Sequence, residues 1–239
     1  MSTEQITLIV DDVEVLAGAD QTVMEACDAA GIYIPRLCYH KDLVPGGHCR
    51  VCTVKVNGKP MNTCTLPAQN GLVIENDTQE LNSMRRRIIE MLFVDGNHVC
   101  PICEASGRCE LQALAYRFGM TTPEYPYRYP YVEVDASHPD VFIDRNRCVL
   151  CGRCVRGSRD LDGKHVFGFA GRGANKEIAV NADHNLSETT FAKIDKAASI
   201  CPTGSIVIKR VGYNIPYGKR TYDRAPIGSD IEKIKKAAK

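Results

Sequence analysis

The spacing of its cysteines constrains this 239-residue chain more tightly than any hydrophobic pattern does. Eleven of the twelve fall into three groups. The first is Cys38-x10-Cys49-x2-Cys52-x11-Cys64. The second is Cys100-x2-Cys103-x5-Cys109, with His98 two positions ahead of Cys100. The third is Cys148-x2-Cys151-x2-Cys154, with Cys201-Pro202 far downstream. Disulfides would suit an oxidising compartment. The sequence, however, begins Met1-Ser2-Thr3-Glu4-Gln5, without the basic and then apolar segments of a signal peptide, and no run approaches the ~20 apolar residues of a membrane helix. A soluble, cytoplasmic chain is therefore expected, and a reducing compartment directs clustered thiols to metal or redox use.

Four thiolates in the first group suit a [2Fe-2S] cluster, in which each tetrahedral iron takes two cysteines beside two bridging sulfides. Gly46 and Gly47, in its long first loop, have no side chains to keep backbone N–H groups away from the sulfurs. The plant-type pattern has four residues rather than ten in its first gap, a difference that alters the loop and not the number of ligands. Four cysteines can also hold zinc, but zinc ribbons use two Cys-x2-Cys knuckles and here there is one. In the second group, three cysteines leave a [4Fe-4S] cube one ligand short. His98 is the candidate for the open iron, where a neutral imidazole would make the cluster less negative and raise its potential. The alternative is that His98 only donates a hydrogen bond nearby and another group completes the site.

The third group is the most specific. Tandem bacterial ferredoxins carry Cys-x2-Cys-x2-Cys-x3-Cys-Pro twice, each motif lending its last cysteine to the other cluster. Here one full set of four is absent. Ser158 stands four residues after Cys154, and Phe191, Ile194 and Ala197 stand ten, seven and four residues before Cys201. The set that remains, Cys148, Cys151, Cys154 and Cys201, is complete for one [4Fe-4S] cube, and no zinc pattern explains such a coordinated loss. Cys27 lies in a predicted helix and reads as a core residue, so no thiol is left over for catalysis.

The remaining sequence predicts an α+β fold. Residues 6–16 read as a β-hairpin around Asp11-Asp12, and residues 21–31 as a helix capped by Asp20 and ended by Gly31. Strands are expected at 51–56 and 72–74. Together these predict a β-grasp ferredoxin-like unit over residues 1–78. Residues 79–120 read as a helical His/Cys3 segment, with Met84, Ile88, Met91 and Leu92 on one inward face and Leu111, Leu114, Ala115 and Phe118 on another. Residues 121–131, where three prolines and four tyrosines crowd together, resist a helix and predict an extended strap across the chain's own core or a partner surface. Residues 132–210 predict a degenerate bacterial-ferredoxin-like domain, and residues 211–239 a basic, solvated tail.

Thirty Lys+Arg against 29 Asp+Glu leave a formal net charge of +1, so no global field draws the chain to nucleic acid or to an anionic membrane. Neither a G-x-G-x-x-G nor a G-x-x-x-x-G-K-[ST] motif is present, and Gly168-Phe-Ala-Gly171-Arg-Gly173 reads as a turn. His40, His48, His138, His165 and His184 stand singly and read as surface or structural residues.

Four segments occur in fixed order: Ile34-Pro35-Arg36-Leu37-Cys38, Cys100 through Gln112, Arg147 through Cys154, and Cys201-Pro-Thr-Gly204. Together they resemble the N-terminal cluster-bearing region of the large iron-sulfur subunit of respiratory complex I, over residues 1 to about 210. As a free-standing chain, the sequence is similar to the small diaphorase subunits of cytoplasmic NAD-reducing nickel-iron hydrogenases. In the family pattern the histidine precedes its cysteine triplet by four positions, whereas His98 precedes Cys100 by two. The resemblance implies one [2Fe-2S] and two [4Fe-4S] clusters. It also implies partners in a flavin/NAD-binding subunit and nickel-iron hydrogenase subunits, and a role in relaying single electrons between them. An equivalent relay in an NAD-linked formate dehydrogenase or another complex I-like enzyme is the nearest alternative; a zinc-stabilised interaction module is the alternative of another class.

Overall fold

Alternating apolar residues build the first hairpin, β1 (Ile6–Val10) and β2 (Val13–Ala17), paired antiparallel from Ile6 against Ala17 to Val10 against Val13. Asp11 and Asp12 both take positive φ, forming the mirror-image turn that matches the twist of paired strands. These elements belong to a computed structural model that describes residues 5–232. Helix α1 (Val23–Ala29) follows and turns Val23, Met24, Ala26 and Cys27 inward. Its cap is Thr22 rather than Asp20: the Thr22 hydroxyl accepts from the Glu25 N–H, and the Glu25 carboxylate accepts from the Thr22 N–H. That reciprocal box satisfies two free N–H groups together, which Asp20 is too far upstream to do.

Strands β3 (Thr53–Val56), β4 (Lys59–Asn62) and β5 (Val73–Glu75) complete one mixed sheet in the order β2-β1-β5-β3-β4. Strand β5 runs parallel to β1 and antiparallel to β3. The sequence of β4 carries no strand signal. It is a mostly exposed edge held by pairing to β3, where a proline is tolerated. Helix α1 packs with this sheet around Leu8, Val10, Val54 and Ile74, all essentially inaccessible to solvent.

Helix α2 (Gln79–Val94) is turned differently from the expected face. Leu81, Arg85, Ile89 and Phe93 point inward, while Met91 is exposed. Arg85 causes the difference, because a fully buried cation sits in the middle of the apolar stripe. Its guanidinium donates to the carbonyls of Val51, Thr53 and Asn76 and to the Asn82 and Asn76 side chains, which ties α2 to β3 and the loop before it. Helix α3 (Glu110–Arg117) buries Leu111, Leu114 and Ala115 as expected. The Tyr/Pro segment then runs extended over α2. The Glu90 carboxylate accepts from the Glu124 and Tyr125 N–H groups, and the Arg128 N–H donates to the Val94 carbonyl. Its tyrosines stay largely exposed, with Tyr127 and Tyr129 stacked on each other.

The last part pairs β6 (Val141–Ile143) antiparallel with a late strand, β9 (Ile206–Ile208). Between them come α4 (Arg153–Arg156), which continues as one π-helical turn at Gly157–Leu161, and the antiparallel pair β7 (Phe167–Ala170) and β8 (Glu177–Val180). Helix α5 (Lys196–Ser199) follows. Gly168 through Ala170 are therefore strand, and the expected turn is confined to the residues after them. Three of the positions that lack ligands fill the core. Ser158 is inaccessible and accepts from the Val166 N–H, Phe191 meets the Phe167 ring edge-on, and Ala197 is inaccessible, whereas Ile194 is exposed.

Beyond β9 the chain folds back over the middle segment instead of running free in solvent. The Tyr213 hydroxyl donates to the Ile102 carbonyl, the Tyr222 N–H in α6 (Thr221–Arg224) donates to the Gly107 carbonyl, and Ile227 enters the core formed by Tyr33, Ile89 and Leu111. The basic end from residue 233 lies outside the described residues. Among the described residues no helix is long and apolar enough to cross a membrane. Replacing Arg85 with Ala would strand three buried carbonyls at once, so a loss of about 3 kcal/mol or more is expected from chemical denaturation of the cluster-loaded chain, and a loss under about 1 kcal/mol would contradict this role.

Candidate metal centres

The loop that follows α1 and the β3–β4 hairpin bring Cys38, Cys49, Cys52 and Cys64 together at one end of the mixed sheet. The four thiols form two pairs. The N–H of Cys38 faces the Cys49 Sγ and the N–H of Cys49 faces the Cys38 Sγ, each at 3.4 Å, while the Cys52 and Cys64 sulfurs stand 3.4 Å apart. Hydrogen bonds from the Cys49 and Cys64 thiols hold Cys38 well below the usual thiol range, aided by the Cys49 and His48 N–H groups, while Cys49 is pushed up by its bond to Cys38. The amides that approach the sulfurs belong to Cys38, His48, Cys49 and Val51. Two neighbouring pairs of thiols are what two irons require, and metal binding would replace the shared protons.

In the second group, Cys100 begins a single 3-10 turn and Cys109 is the N-cap of α3. The Gln112 N–H donates to the Cys109 Sγ at 3.5 Å, and the Arg147 guanidinium reaches the Cys103 Sγ at 3.6 Å while paired with Glu104 and Asp144. His98 lies edge-on to Phe93, and its Nε2 is buried without a hydrogen-bond partner. Burial, and then Arg147, push His98 down to about 4, so the ring is neutral at physiological pH. A buried, neutral, unpartnered ring nitrogen has the chemistry of a metal ligand, and His98 stands two positions ahead of Cys100 in the sequence. Gly204, three residues after Cys201, approaches this group closely: a Cβ there would lie 2.6 Å from the Cys103 sulfur.

Cys148, Cys151, Cys154 and Cys201 line one small cavity, together with Ile143, Val149, Ile178 and Ile206. Burial raises Cys148 to about 11 and Cys151 to about 12. Such thiols stay protonated until a metal displaces the proton. The Leu150 N–H faces the Cys148 Sγ at 3.4 Å, and the Thr203 hydroxyl lies 3.6 Å from the Cys201 Sγ. Among the described residues, no three or more His, Cys, Asp or Glu side chains gather as a single ion requires, whereas the ligands of a cluster are divided among several irons.

The three groups are joined by contacts that sequence reasoning did not single out. The Glu110 N–H, next to Cys109, donates to the Pro202 carbonyl, next to Cys201, at 2.8 Å. Arg153 grips the Glu110 carboxylate with both arms and donates to the Tyr39 carbonyl. Arg156 donates to the Cys38 and Cys151 carbonyls. The only signal available in the sequence was the placement of these arginines at and just after the Cys-x2-Cys-x2-Cys motif.

Cys27 belongs to none of the three groups, although it shares the apolar core of the sheet unit with Cys52 and Cys64. It is inaccessible, and burial pushes its thiol up to about 12, first by desolvation and then by the Asp28 charge. Native chain treated with iodoacetamide at pH 8 is therefore expected to leave Cys27 unlabelled until denaturant is added, as read by peptide mass spectrometry. Labelling of Cys27 in the folded chain would contradict this placement.

Three family descriptions match the chain in succession. A 2Fe-2S iron-sulfur cluster binding domain covers residues 3–79, an NADH-ubiquinone oxidoreductase-G iron-sulfur binding region covers residues 85–124, and the ferredoxin-like domain of NADH-quinone oxidoreductase subunit 3 covers residues 138–207. Among longer relatives, the chain is 33% identical to the mitochondrial NADH-ubiquinone oxidoreductase 78 kDa subunit of Candida albicans, over 86% of this chain and 29% of that one. It is 30% identical to the NADPH-Fe(3+) oxidoreductase subunit alpha of Geobacter sulfurreducens, over 85% of this chain and 24% of that one. A chain in the crystal structure of an NAD+-reducing [NiFe]-hydrogenase in the H2-reduced state superimposes with a TM-score of 0.90 at 44% identity, covering 92% of this chain and 94% of that chain. The NAD-reducing hydrogenase HoxS subunit gamma of Cupriavidus necator is 39% identical over 91% of this chain and 93% of its own length. With nearly full coverage in both directions and a matching fold, this chain belongs to the family of NAD-reducing hydrogenase HoxS gamma subunits.

Proposed function

We propose that this chain is the electron relay of an NAD-reducing nickel-iron hydrogenase, carrying one [2Fe-2S] and two [4Fe-4S] clusters between a hydrogen-oxidising module and a flavin/NAD module. In this reading the net reaction, H2 + NAD+ giving NADH + H+, takes place at the two ends in partner subunits. The clusters supply one-electron storage between them. The N-terminal unit is read as a β-grasp ferredoxin-like domain, with Cys38 and Cys49 on one iron and Cys52 and Cys64 on the other. His98, Cys100, Cys103 and Cys109 are assigned to the middle cube, and Cys148, Cys151, Cys154 and Cys201 to the third, in a ferredoxin-like domain that has lost its second cube.

The observation that carries the reading is the contact between the second and third cysteine groups: the Glu110 N–H to Pro202 carbonyl bond joins residues adjacent to Cys109 and Cys201. A relay needs neighbouring centres held at short, fixed separations, and the chain's own residues do that work. Amides at Cys38, Cys49 and Leu150 point at sulfurs, where they would stabilise the reduced, more negative state. The buried apolar walls of the third cavity would exclude water from that site.

Metal analysis and electron paramagnetic resonance test this on the cluster-loaded chain, with about ten irons per chain expected. Colourless protein with zinc in place of iron would overturn the reading. His98→Ala is expected to alter or abolish the middle-cluster signal while the other two persist. A middle signal indistinguishable from that of the unaltered chain would remove His98 from the ligand set and leave the relay standing.

A further inference from the structure

Arg156 is a buried cation that forms no ion pair among the described residues: the exposed Asp160, whose charge it feels, is paired with Arg159. The Arg156 side chain is almost inaccessible, and all its hydrogen bonds go to backbone carbonyls: Gly152 at 3.2 Å, Val44 at 2.7 Å, Cys38 at 2.6 Å and Cys151 at 3.3 Å. Arg153, three residues earlier on the same helical turn, differs in this respect, because its charge is matched by a bidentate Glu110. A buried charge left unmatched is strongly destabilising, so a site that retains one normally supplies an opposite charge nearby. Arg156 donates to the carbonyl of one cysteine from the first group and of one cysteine from the third. Four thiolates around either kind of cluster carry net negative charge, which grows on reduction.

We infer that Arg156 is a shared positioning and tuning residue whose counter-charge is the two anionic cluster sites it bridges, the [2Fe-2S] site through Cys38 and the third-group cube through Cys151. This rests on the cluster assignment proposed above. A fixed positive charge stabilises the reduced form more than the oxidised form, so Arg156 raises both midpoint potentials together. It also locks the two cysteine loops to one guanidinium, which sets the separation between the centres. The second group has no hydrogen bond to Arg156 and serves as an internal control.

Redox titration of the cluster-loaded full chain, followed by electron paramagnetic resonance, provides the test. Arg156→Gln is expected to move the midpoints of both the [2Fe-2S] and third-group signals to more negative potential, with a smaller change at the middle cluster. Arg156→Lys, which keeps the charge and loses the bridging fork, is expected to hold both midpoints near their original values. Unshifted midpoints in Arg156→Gln would overturn the inference. If that variant does not assemble, Arg156→Lys decides alone: retained clusters at the original potentials support a charge role, whereas displaced potentials or lost clusters contradict it. Absence of these signals from the unaltered chain would instead refute the cluster assignment itself.

Discussion

Two arginines on one turn of helix tie together the three stretches of this chain that carry its cysteine groups. Arg153 reaches the carboxylate that follows the second cysteine group and the carbonyl of Tyr39, next to the first group. Arg156 reaches Cys38 itself. Both leave the short helix α4, whose start falls inside the third cysteine motif, so the motif that gathers one set of thiols also fixes the positions of the other two. Without these bonds the mixed sheet and the ferredoxin-like part would meet mainly through loops. Loops alone hold a separation poorly, because each rotatable backbone adds conformational freedom that some contact must remove.

The same economy appears in how the sulfurs are surrounded. Each thiol group combines short backbone N–H contacts with apolar burial, the first favouring a charged sulfur and the second disfavouring it. The balance differs among the three. The first group holds Cys38 down with several hydrogen bonds, whereas burial dominates at Cys148 and Cys151. Different surroundings for chemically similar ligands are how a protein sets unequal potentials on neighbouring centres.

Much of the site was readable from spacing because ligand motifs are local: Cys148, Cys151 and Cys154 lie within seven residues of one another, and Cys201-Pro202 carries its own signature downstream. The hairpin at Asp11-Asp12 and the inward Cys27 were readable for the same reason. What escaped were features set by distant packing. Helix α2 is rotated from its apparent apolar face because Arg85 is buried, and a charged residue in a helix ordinarily signals solvent. Arg153 and Arg156 are invisible for the same cause, since among their partners are the carbonyls of Tyr39 and Cys38, more than a hundred residues away, and, for Arg153, the Glu110 carboxylate on another helix. The return of residues 213–232 over the middle segment is held by scattered contacts, among them hydrogen bonds from Tyr213 and Tyr222, Arg117 donating to the Ile227 carbonyl and to Glu232, and the buried Ile227, too irregular a pattern to mark a packed segment.

A relay of this kind requires that electrons cross the chain through all three thiol groups in turn. Rapid-freeze electron paramagnetic resonance on the intact complex, mixed anaerobically with hydrogen or with NADH, measures this directly. In a series relay, signals from all three centres of this chain appear within one catalytic turnover, whichever donor is used. A centre that stays oxidised through many turnovers with both donors would contradict a series relay.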